Sequence, residues 1–296
     1  MVADDSTQHG AASSTVLLPV VSGPSLAGRL LGTSPAGLYM SFDTGRPVDG
    51  QAVIALLPTS SVRLPLAMIA SAPLPVVQPR DAIVVGDGAL RVGEHVWRIV
   101  RWFDPHPSGF RRPRPLALAE AAETLWNLGD GETGLPVLQA WDAATALAAG
   151  DPEPCRELLG AGPGLTPAGD DVVAGAMAAC ALAGEGPHAH EMEMLVARAR
   201  IATTALSAAL LSCAARGEVV PEAAELLRVL GSGSAVVPAL KRLRGVGSTS
   251  GTALAIGLVA ALSAMTTRLD PQPDRRGALT GSSSATERPQ SWAVAP

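Results

Sequence analysis

The chain is predicted to be α+β, with an N-terminal β-rich domain followed by a mainly helical C-terminal domain. Three observations predict it. Up to about residue 105, short apolar or β-branched runs alternate with turn residues. From Pro115 onward, Ala- and Leu-rich runs of helical length take over. Between them lies a junction punctuated by Pro105, Pro107, Pro113 and Pro115.

Residues 1–14 are small and polar and are expected to form a disordered N-terminal tail. The β-rich domain is set at 15–110. It opens on the apolar run 16–21, which Pro19 interrupts, and its strands are expected over 38–42, 52–57, 62–69, 82–85 and 95–102. Gly86-Asp87-Gly88 and Gly93-Glu94, each between apolar runs, give residues 83–99 a hairpin signature. In the junction, Arg111, Arg112 and Arg114 offer charge to a phosphate, but a solvated linker explains the same composition. The helical domain is set at 115–270, with runs at 116–128, 135–149, 171–183, 191–216, 221–230, 235–243 and 252–268. Residues 271–296 mix Pro, Gly and Ser with scattered charge and are expected to form a disordered C-terminal tail.

Composition narrows the function classes. The 296 residues carry a net charge of -5, 47% are hydrophobic and 17% charged. This is too acidic for a basic nucleic-acid binder and too apolar for a disordered chain. Lys241 is the only lysine and no GxxxxGK phosphate loop is present. Cys155, Cys180 and Cys213 are odd in number and lack CxxC spacing, which fits reduced thiols in a cytoplasmic protein. Asp4 and Asp5 stand where a signal peptide needs positive charge. The longest apolar stretch, 253–265, is shorter than the roughly 18 residues of a membrane span, so a buried helix and no membrane partner are expected.

The most informative stretch is 160–171, GAGPGLTPAGDD. Its glycines permit positive φ and close approach, and its two prolines remove freedom, so the loop is expected to be shaped and stiff. Asp170 can cap the following helix and Asp171 can open it. Two adjacent carboxylates would repel a phosphate, so they either share a divalent cation or accept hydrogen bonds from a substrate amino group. A second loop, 245–252 (GVGSTSGT), presents hydroxyls and N–H groups at another helix start, which suits an anion or a plain Ser/Thr cap. Between them, Arg200, Thr204 and Ser207 are expected on one helical face. His188, His190, Glu191 and Glu193 start in a turn and lack converging ligands, so metal binding there is discounted. GxSxG is missing.

The 160–171 loop resembles the GxGPGLTPxGDD hallmark of the family whose best-known member is the H subunit of oxamate carbamoyltransferase, AllH, from anaerobic allantoin degradation. Thr203-Thr204 with Ser207, the Gly247–Gly251 loop, and the Trp102-Phe103-Asp104-Pro105 junction resemble further family segments, so the likeness is expected over about residues 20–268. Ser248 and Ala253 depart from it, where members often carry His and Asp. The resemblance implies a cytoplasmic carbamoyltransferase subunit in a hetero-oligomer with acyl-CoA-synthetase-like partner subunits. Its substrates would be carbamoyl phosphate and a small amide such as oxamate. Asp170 and Asp171 are the expected catalytic residues and the expected Mg²⁺ ligands. Gly162, Gly164, Thr166, Gly169, Thr203, Thr204, Ser207, Gly247, Ser248, Thr249, Ser250 and Gly251 are the expected ligand contacts, the loops serving as phosphate-binding elements. Two other readings stand beside it: a non-catalytic small-anion or nucleotide-binding regulatory or scaffold subunit, and a metal-dependent phosphotransferase.

Overall fold

The computed structural model describes residues 7–45 and 50–269. Its N-terminal part is a closed eight-stranded barrel and its C-terminal part is helical. The chain is therefore α+β, with its sheet closed on itself and left without free edges.

Strands β1 (Thr7–Ser14), β2 (Leu26–Ser34), β3 (Gly37–Asp43), β4 (Gln51–Pro58), β5 (Ala67–Ala70), β6 (Ile83–Gly86), β7 (Ala89–Val92) and β8 (His95–Phe103) run round the barrel in the order β1-β5-β4-β3-β2-β6-β7-β8. Closure comes from the parallel pairing of β1 with β8, and β4 with β5 is the other parallel pair. Residues 7–14, expected in the tail, are thus the closing strand. Beyond Thr7 they lack β-branched bulk, yet Ala11, Ser13 and Ser14 are buried because this strand is paired on both sides. The tail 271–296 lies outside the described residues.

Strand β2 was not foreseen, for a physical reason: it is largely exposed and interrupted by glycines. Gly28 is needed there, since a Cβ would stand 2.3 Å from the Phe42 ring on the neighbouring strand. The β6–β7 hairpin turns on Asp87-Gly88, both at positive φ (50° and 77°), the two-residue turn that Asp-Gly favours. Only the end of the 62–69 run is a strand. A 3-10 turn, Thr15–Leu17, leads into the single-turn helix α1 (Leu18–Val21) beside the barrel.

The helices are α2 (Pro115–Trp126), α3 (Val137–Ala148), α4 (Glu153–Leu158), α5 (Ala168–Ala183), α6 (Ala189–Ala202), α7 (Ala205–Ala214), α8 (Pro221–Ser232), α9 (Val236–Arg244) and α10 (Ser250–Leu269). α5 and α10 are buried on nearly every face and form the centre of the helical core. They cross at glycines: a Cβ on Gly175 would stand 2.2 Å from the Leu254 carbonyl oxygen, and one on Gly257 1.9 Å from that of Val172. α10 is longer than the 253–265 run suggested, long and apolar enough by composition to cross a membrane. Its Ser250–Arg268 stretch is 67% buried inside the protein, as the core helix of a folded chain would be.

The run at 191–216 is two helices, because Thr203 turns extended and Thr204 caps α7 by accepting from the Ser207 N–H (3.0 Å). Arg200 and Ser207 therefore do not share a helical face. The junction arginines are exposed, as a solvated linker requires, but its backbone is docked where the Arg114 N–H donates to the Leu230 carbonyl, and the Arg112 side chain pairs with Glu185 (2.7 Å). Two cores result, one in the barrel and one among the helices, and α7 serves both. Leu206 and Cys213 pack into the barrel core, while Ala208, Leu211 and Ala214 pack into the helical one.

Candidate functional site

The 160–171 loop links α4 to α5 in a conformation that depends on glycine. Gly160, Gly162 and Gly164 all take positive φ, which only glycine adopts without strain. Gly169 enters α5 so close to the Leu158 carbonyl oxygen that a Cβ would lie 2.1 Å away.

Asp170 locks this loop to its surroundings. It is 1% exposed, and its Oδ1 accepts the Gly160 N–H at 2.8 Å while its Oδ2 accepts the Thr203 hydroxyl. One carboxylate thereby closes the loop on itself and ties it to the α6–α7 break. Thr204 adds a second tie, its hydroxyl donating to the Leu165 carbonyl at 2.6 Å. On the other side, the Thr166 and Ser250 hydroxyls meet at 3.1 Å, which brings the 245–252 loop and the start of α10 against the first loop. The two loops, 84 residues apart in sequence, thus build one site at two adjoining helix starts.

Asp171 occupies that site differently from Asp170. Its Oδ2 is buried without a hydrogen-bond partner among the described residues. Burial pushes its carboxyl up to about 7, with the Asp170 charge adding to the rise and Ser250 acting in the opposite sense. Two helix starts would favour the ionised form, but loss of water outweighs them. A carboxyl poised near neutrality can take up or release a proton under ordinary conditions.

The structure divides the expected site residues. Thr203 and Thr204 are engaged in holding the loop, Ser207 is buried behind the α7 cap, and Gly169 and Gly251 serve close backbone approach, a Cβ on Gly251 falling 1.9 Å from the Leu243 oxygen. Gly162, Gly164, Gly247 and Ser248 are exposed at the loop tips, and Thr166, Thr249 and Ser250 are half-buried, with Ser250 bonding to Asp171. The first N–H groups of α5 do not face outward. Gly169 donates to Ala161, and Asp170 and Asp171 to Pro167. Among the described residues, the N–H groups of Gly164, Leu165, Thr166, Ser248 and Thr249 meet no acceptor. They are the donors an anion would find.

A cation shared by Asp170 and Asp171 does not fit this arrangement, because both Asp170 oxygens are turned inward and already accept hydrogen bonds. Among the described residues, no three His, Cys, Asp or Glu side chains gather for a metal either.

Sequence reasoning missed a cleft of about 1050 Å³ between the barrel and α7, lined by Arg29, Arg200 and Arg216 among others. No motif announces it, since its walls come from segments scattered between residues 15 and 218.

These features define a class: an α+β chain with a closed barrel and a glycine-loop site at paired helix starts in its helical part. Residues 158–262, the segment that builds this site, match the family described as oxamate carbamoyltransferase subunit AllH. The match is narrower than the resemblance over 20–268 suggested, leaving out the barrel and its Trp102–Pro105 ending. No curated protein and no solved structure matches the chain.

Proposed function

We propose that this chain is a subunit of a carbamoyltransferase-type complex that acts on carbamoyl phosphate and a small amide such as oxamate. The observation that carries this reading is the Asp171 carboxyl, buried without a partner for its Oδ2 and raised to about 7, inside the segment that matches the AllH family. In the direction that consumes carbamoyl phosphate, the amide nitrogen attacks the carbamoyl carbon and forms the new C–N bond. The C–O bond to phosphate breaks, phosphate leaves with the electron pair, and the amide proton passes to Asp171. The N–H groups of Gly164, Leu165, Thr166, Ser248 and Thr249 hold the phosphate end by preorganised hydrogen bonding. Asp170 acts as a positioning residue, through Gly160 and Thr203.

A complete active site draws on partner subunits, since among the described residues the glycine-loop site offers one proton-transfer group and no activated nucleophile. The test is carbamoyl-phosphate-dependent phosphate release by the complex assembled with its partner subunits. Asp171→Asn should lower the rate by about 10²-fold or more, the usual contribution of a general base. It should also remove the limb near neutral pH from the wild-type rate profile. An Asp171→Asn complex with an unchanged rate and profile would leave the non-catalytic scaffold reading in its place.

A further inference from the structure

The cleft between the barrel and α7 exists because α7 turns a face of small residues, Ala205, Ala208, Ala209 and Ser212, toward the barrel mouth. Opposite lie Thr15 to Pro24 around α1, Leu26 and Arg29 of β2, and Gln51 to Val53 of β4. At about 1050 Å³ it matches the upper range of small-molecule pockets.

Among the described residues, three arginines from separate segments line it, and Arg216 is paired with Glu218 at 2.8 Å. Arg29 is exposed, and its Nε donates to the Ser41 hydroxyl at 3.1 Å. That bond tethers the guanidinium through its Nε. Among the described residues its terminal nitrogens meet no carboxylate, so its planar fork is set for an incoming anion. The lining also includes the aliphatic side chains Val16, Leu17, Val20, Leu26, Val53 and Leu66, beside the polar Thr15, Thr44, Gln51 and Ser212. Among the described lining residues, no aromatic side chain is present to stack a base.

We propose that this cleft binds an organic anion, with its phosphate or carboxylate head at Arg29 and an aliphatic body along the small-residue face of α7. The site is separate from the glycine-loop site and does not depend on the carbamoyl-transfer reading. It also borders that site's framework, since Arg200 and Ala205 flank the Thr203-Thr204 break that holds the loop.

Calorimetric titration of the full chain with hexyl phosphate, hexanoate, inorganic phosphate and acetate tests this. At least one hexyl ligand should bind with Kd near or below about 1 mM, and about tenfold or more tighter than its short counterpart, because each buried CH₂ contributes about 0.8 kcal/mol. Preference between the two hexyl ligands identifies the head as phosphate or carboxylate. Arg29→Ala and Arg29→Gln should each weaken binding at least about tenfold. Ala209→Trp, which fills the cleft, should remove the advantage of the long chain. Arg29 is exposed, so its variants decide the matter even where Ala209→Trp does not fold. Failure of both hexyl ligands to saturate the wild-type chain would overturn the proposal, as would binding indifferent to Arg29 and to chain length.

Discussion

Adjacent in sequence and identical in chemistry, Asp170 and Asp171 do opposite things. Asp170 points inward and takes two donors; Asp171 has a buried oxygen with none. Their substitutions should therefore separate. Asp170→Ala leaves the Gly160 N–H and the Thr203 hydroxyl unmatched and should destabilise the chain by about 3 kcal/mol, read from chemical denaturation. Asp171→Asn should do the reverse above acidic pH. The Asp171 carboxyl titrates near 7 when folded against 3.8 ordinarily, so between these values the folded chain binds one more proton than the unfolded one. Stability from this group is present below about pH 4 and is lost as pH rises toward 7. Relative to wild type, Asp171→Asn should gain stability across that window and level off above it. A pH-independent difference between the two proteins would show that Asp171 is not held in the neutral form.

At the level of elements, the site depends on how closely α5 and α10 approach. Gly175 and Gly257 let the backbones touch, and the helix starts then fall side by side, so that Thr166 meets Ser250. Gly257→Ala would drive a methyl group to 1.9 Å from the Val172 carbonyl oxygen, with the backbone of a buried helix in the way. A loss of about 3 kcal/mol is expected, together with a lowered carboxyl pKa at Asp171 as water reaches the loosened helix starts. Thermal melting and the titration of Asp171 check the two effects. The opposite design shows at β2, where Gly28 makes room for the Phe42 ring, so that an exposed strand still closes tightly on a buried one.

For the whole molecule, α7 is the shared element. One side of it completes the barrel core and another the helical core, so neither core keeps its packing if α7 leaves. The three thiols report on this. Cys155 and Cys180 lie in the helical core, and burial pushes both up to about 12; Cys213 lies in the barrel core, and burial raises it as well. None should react with a thiol reagent in the native chain at neutral pH. In increasing denaturant all three should become reactive in one transition, matching the loss of helical signal. Labelling of Cys213 well before the other two would show that the barrel and the helices unfold independently.

The class of fold and the place to look for chemistry were legible from residue order alone. The change from alternating short runs to long Ala- and Leu-rich runs is a local, periodic signal, and the stiff loop at 160–171 is contiguous text. The Asp87-Gly88 hairpin was legible for the same reason, since its turn needs only its own two residues. What was not legible depends on partners distant in the chain. Residues 7–14 are a strand only because β5 and β8 flank them, and the barrel is closed only by that pairing. The 191–216 run breaks at Thr203 and Thr204, whose hydroxyls bind Asp170 and Leu165 from another loop. Which aspartate faces inward, and which is left to hold a proton, was decided by burial and by donors arriving from residues 160, 203 and 250, because a carboxyl's behaviour follows its surroundings and not its position in the text.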